Sequence, residues 1–171
     1  MAFEYREPIK VLADIIQHEL GLANGRVMLA DQKFNIANQK GLYVSLEYVN
    51  PGKIIANINT PDMTVNPPVE VQSVTSVSIV QIDMMSFDET ARTQMEDMAM
   101  ALNSTYSVQL QERYQMQISR NPAPFNDNSN LEATAMLKRY TTTVTITSMK
   151  TKSKVVEYFD TFQEPGVVVN D

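Results

Sequence analysis

The stretch from Val69 to Met85 restricts the fold more than any other part of the chain. Val, Ile, Thr and Ser dominate it, and side chains branched at Cβ are stiff against a preceding helical turn but fit a pleated surface. It therefore predicts one long strand, and a strand needs a sheet around it. The apolar residues do not keep a single parity, however. Val69, Val71, Val77 and Ile79 share one, while Val74, Val80 and Ile82 share the other. The expectation is a bulged strand, buried in part on both faces.

Other elements follow from the same periodicities. Ile9, Leu12, Ile16 and Leu20 lie on one stripe, with Pro8 in the first turn and Gly21 just past the end, which predicts a helix over about 8–20. Leu42, Val44, Leu46 and Tyr48 alternate with Ser45 and Glu47, a strand over 42–49. Asn50-Pro51-Gly52 then reads as a hairpin turn into a second strand, 53–59. Pro61, Pro67 and Pro68 make 60–68 a loop. The Ser86/Glu89 spacing of a capping box opens a helix over 88–102, with a shorter helical piece over 106–113. Strands are expected over 114–120, 140–149 and 154–160. Asn121–Asn130 forms a long loop, Leu131–Tyr140 a short helix-like piece, and Lys150–Lys154 a basic turn. The residues from Gln163 onward form an extended arm. Together these predict an α+β domain, a mixed or antiparallel sheet flanked by two main helices, in a chain whose 171 residues suit one domain of about 100–200 residues.

The inventory for chemistry is poor. Without cysteine there are no disulfides, thiol nucleophiles or thiolate metal sites, and one histidine, His18, rules out multi-histidine metal centres. His18 lies off the apolar stripe of its helix and reads as a partly solvated side chain. Five glycines form no phosphate-cradling loop. Asn126–Asn130 lacks the glycine and glutamate of a calcium loop. Asp88 and Glu89 suit a helix N-terminus better than catalysis. No cofactor and no metal is expected, and the chain reads as a structural or interaction domain rather than an enzyme. Its net charge of −6 repels a phosphate backbone. Met1–Glu7 resembles no secretory signal, and no window is apolar enough to span a membrane, so a soluble protein made in a cytoplasm is expected. Eleven methionines, five of them at Met84, Met85, Met95, Met98 and Met100, fill a core or form a surface that repacks on assembly.

The order and spacing of several pieces carry more. Phe87-Asp88-Glu89-Thr90-Ala91-Arg92, Ala101-Leu102-Asn103-Ser104, Gln109-Leu110-Gln111, Arg120-Asn121-Pro122 and Ala135–Tyr140, ahead of a Thr/Val-rich strand, resemble the neck and tail terminator proteins of contractile-tailed phages. The resemblance covers 69–162, with 1–68 as an N-terminal helix and hairpin and 163–171 as an arm. It implies a virion subunit, made in the host cytoplasm, that forms a ring, expected to be hexameric. Such a ring ends the tail tube and sheath and joins them to the head connector, and DNA passes through its lumen without specific binding. A stopper or adaptor ring, the cap of another contractile machine, or a small phage enzyme are the alternatives. Candidate assembly residues are Glu96, Asp97, Asn121, Phe125, Lys138, Arg139, Lys150, Lys152 and Lys154, with Lys138-Arg139 of one copy facing Glu96-Asp97 of another.

Overall fold

A computed structural model describes residues 5–30, 40–65, 68–132 and 135–155. The fold is α+β, with a seven-stranded mixed sheet and four helices. Along the chain these are α1 (Pro8–Glu19), β1 (Val27–Leu29), β2 (Tyr43–Asp62), β3 (Val69–Ser86), α2 (Thr90–Thr93), α3 (Met95–Ala101), α4 (Thr105–Arg113), β4 (Met116–Ile118), β5 (Asn126–Asp127), β6 (Asn130–Glu132) and β7 (Ala135–Val155). The strand order is β1-β2-β3-β7-β4, with β5 and β6 also paired to β7. Only the β1–β2 pair is parallel.

One face of the sheet carries the main core. Val44 and Leu46 of β2, Val80, Ile82 and Met84 of β3, and Val144 and Ile146 of β7 are buried there with Leu12, Ile15 and Ile16 of α1, Ala91 of α2 and Met98 of α3. Paired residues of an antiparallel sheet point to the same side, so the even-numbered residues of β3 and β7 form this inner face. On the outer face a smaller cluster, Met28, Tyr43, Met85 and Leu137, sits at the same end of the sheet.

The β3–β7 register runs unbroken from Val69↔Val155 to Ser86↔Lys138. The parity change in 69–85 is therefore not a bulge against this neighbour. It is a change of apolar side along a regular strand, inward beneath the helices and, Val74 apart, outward beyond them. The irregularities lie on β2, between Tyr48 and Asn50, Asn50 and Lys53, and Ile54 and Ala56. This corrects the hairpin expected at Asn50-Pro51-Gly52, since 43–62 is one strand. Among the described residues β1 borders β2 only at 44–46, and no strand there needs the N–H that Pro51 lacks. Gly52, at φ +127°, absorbs the distortion, with its N–H donated to the Asn50 side chain at 3.1 Å. The chain reverses after Asp62, whose carboxylate accepts from the amide and hydroxyl of Thr64. Thr60 and Pro61, expected in the loop, belong to β2.

Three more expectations change. The helix over 88–102 is two pieces, α2 and α3, separated at Gln94. Its start is not a capping box: Asp88 accepts from the Thr90 amide and the buried Ser86 hydroxyl from the Ala91 amide, while Glu89 makes no cap bond. Leu131–Tyr140 is not helical but forms β6 and the start of β7. Pairing with β3 buries Tyr140, Leu137 is buried with Met28, Tyr43 and Met85, and that burial overrides a weak helix propensity. Lys150–Lys154 is not a turn but the straight continuation of β7 along β3. Of the strand over 154–160, Lys154 and Val155 end β7. The rest, the arm from 163 and Pro67 lie outside the described residues.

The base and the projecting sheet should respond differently to truncation. Leu46→Ala removes a fully buried side chain and should cost about 3 kcal/mol. Ile58→Ala, 58% exposed, should change stability by less than about 0.5 kcal/mol. Urea denaturation of both variants checks the contrast.

Candidate assembly interface

Beyond the helices, β2, β3 and β7 continue as a three-stranded arm built from 49–62, 69–77 and 149–155. Nine residues of β3 give it a length of about 30 Å. None of its described side chains is buried, although β3 has a strand on each side.

The two faces differ chemically. On the outer face stand Val69, Val71 and Val77 of β3, Ile58 of β2, and Met149 and Val155 of β7, with Ser73 and Thr151 sharing a hydroxyl–hydroxyl hydrogen bond at 3.3 Å. On the inner face Lys150, Lys152 and Lys154 stand in one row, opposite Val74, Gln72 and Glu70. Successive lysines are about 7 Å apart, the two-residue repeat of a strand. The Lys150 ammonium also lies 4.8 Å from the centre of the Tyr5 ring. Glu70 accepts a hydrogen bond from the Asn59 amide. The arm carries four lysines, with Lys53, against Asp62 and Glu70, a positive surplus on a chain whose net charge is −6.

The remaining candidates scatter over the base. Glu96 and Asp97 are exposed on α3, and Asn121 is exposed before β5. Phe125 packs against the main core, so its ring is spent inside the fold. Lys138 and Arg139, expected to face Glu96-Asp97 of another copy, each have an acidic partner within their own chain. The Lys138 ammonium lies 3.5 Å from Glu89. The Arg139 guanidinium lies 2.6 Å from buried Asp83, which also accepts from Thr141 at 2.6 Å and from Gln81 at 3.0 Å. A buried carboxylate cannot give up such partners cheaply, so Arg139 is held in place.

Groups that could carry chemistry are engaged elsewhere. The His18 ring stacks on Tyr106 at 3.9 Å between centroids, and its Nδ1 lies 3.1 Å from Glu19. Asp127 accepts from the hydroxyl and amide of Ser129, which hold its carboxyl below the usual carboxylate range, with Lys138 adding a smaller effect. A groove of about 560 Å³ between α4, β4 and β7 is lined mainly by apolar and amide side chains such as Val108, Gln111, Met116 and Ile118. Among the described residues no three Asp, Glu or His side chains group as a metal site, and no described helix is long and apolar enough to cross a membrane. No protein-family model matches the chain, and no curated protein matches it.

Asp83 should be the most sensitive polar position. Asp83→Ala strands Arg139 and Thr141 together and should cost on the order of 3 kcal/mol. A fall in the denaturation midpoint with an unchanged m-value would register it.

Proposed function

We propose that this chain is a structural subunit of a contractile-phage neck, of the tail-terminator kind. It assembles as a ring that caps the tail tube and sheath, meets the head connector and leaves a channel for DNA. It is a virion component, not an enzyme. The observation that carries the reading is the arm, whose outer face gathers Val69, Val71, Val77, Ile58, Met149 and Val155, none of them buried by the described residues. A sheet face of half-buried and exposed Val, Ile and Met favours association, and an arm rather than a concave pocket reaches a neighbouring subunit. The resemblance over 69–162 supplies the kind of assembly. An acidic subunit supports the channel, because like charge keeps a lumen from gripping phosphate.

Native mass spectrometry and light scattering across concentration, with and without purified tail tubes, test this reading. The expected result is a ring of six, or a monomer that assembles on tube ends. Val71→Glu, on the outer face, should reduce assembly at least tenfold while leaving the melting temperature within about 2 °C, since the position lies outside the core. A protein that stays monomeric at every concentration and ignores tubes would overturn the proposal.

A further inference from the structure

The arm's lysine row has a counterpart on the base. Between the C-terminal end of α1 and the length of α3 lies a depression of about 340 Å³ lined by Glu19, Leu20, Gln94, Asp97, Met100, Ala101 and Ser104. Its charged lining is wholly acidic. The C-terminal end of α1 adds the negative end of its dipole, while Gln94 and Ser104 stand at the N-caps of α3 and α4. The Gln94 side-chain carbonyl oxygen is shielded from solvent and has no hydrogen-bond donor among the described residues. Leu20, Ala101 and the largely exposed Met100 add an apolar wall. A depression with carboxylates, an orphan acceptor and an apolar wall suits a cation on an aliphatic stem, as lysine presents.

We propose that the lysine face of the arm of one copy seats on this depression of a second copy, with Lys150, Lys152 and Lys154 directed at Asp97 and Glu19. The inference rests on the ring reading above and names its subunit contact. Charge complementarity selects the occupant: the arm is positive, the depression is negative, and both belong to the same chain. The apolar parts also match, because Val74 lies opposite Lys150 in the arm and Ile54 stands on the same face, against Met100 in the depression. Two different surfaces of one chain make a head-to-tail contact, which closes a ring when the rotation permits. Lys138 and Arg139 are engaged by Glu89 and Asp83 of their own chain.

The absence of cysteine allows a direct test. Protein carrying only Lys152→Cys is mixed with protein carrying only Met100→Cys under mild oxidation. The mixture should give a cross-linked pair at least tenfold more abundant than either protein alone. In parallel, Lys150→Glu/Lys152→Glu/Lys154→Glu should weaken assembly at least tenfold, as should Glu19→Lys/Asp97→Lys. A chain carrying both sets should recover to within about threefold of the unmodified protein. Melting curves confirm that each variant is folded, and Lys152→Ala with Asp97→Ala provides a milder pair should a reversal unfold. Assembly of the unmodified protein with no cross-link and no effect of the reversals overturns this contact and leaves the ring reading standing. So does loss of assembly by each set without recovery when they are combined. Loss of DNA retention in the triple lysine variant, with assembly intact, assigns the arm to phosphate and equally overturns it. An unmodified protein that never assembles overturns both.

Discussion

The pairing of β3 with β7 is the constraint on which the rest of the structure depends. Eighteen consecutive residue pairs, Val69↔Val155 to Ser86↔Lys138, join the arm to the base without a register shift. Because side chains alternate strictly, an unbroken register fixes which residue faces which side over the whole length. It places Val80, Ile82, Val144 and Ile146 beneath the helices and, further along, turns Val69, Val71 and Val77 to the opposite side. The same alternation collects three lysines into one row. A single slipped residue would exchange the two faces of the arm and put polar side chains into the core.

The ion pair at Asp83 belongs to the same geometry. Asp83 is directly opposite Thr141, and Arg139 lies two residues further along β7, so the outer face at the base gathers a carboxylate and its donors. An unpaired buried carboxylate would be costly, and the fixed register supplies its partners without loop rearrangement. That arrangement ties Arg139 to its own fold through Asp83.

Much of the base is legible in the sequence because its signals are local. The α1 stripe with Pro8 and Gly21, the alternation from Leu42 to Tyr48 and the β-branched run from Val69 all reflect elements that form where expected. Three local signals mislead for definable reasons. Asn50-Pro51-Gly52 has turn chemistry, yet where no described strand needs the missing N–H a strand tolerates a proline and a glycine bulge just as well. Leu131–Tyr140 has a helix-forming composition, yet the partner strand decides its state. Lys150–Lys154 has no apolar residue, which resembles a turn when the strand it borders is not known. The depression at Glu19 and Gln94 leaves no trace in sequence, because it exists only where the end of α1 meets α3.

By itself the sequence determined the class of the fold, the position of its first helix, its long strand and the poverty of its catalytic inventory. These depend on residue type and on periods of two or 3.6 residues, which are local quantities. It also recorded, in the parity change within 69–85, that the apolar side of that strand switches. Only the tertiary structure decided what the switch means. With β7 alongside in unbroken register and the helices ending near Val80, the outward valines become one face of an arm and the lysines become the other. Hydrophobic burial and charge pairing depend on what lies opposite, and in a sheet the residue opposite is set by pairing across some seventy positions of chain.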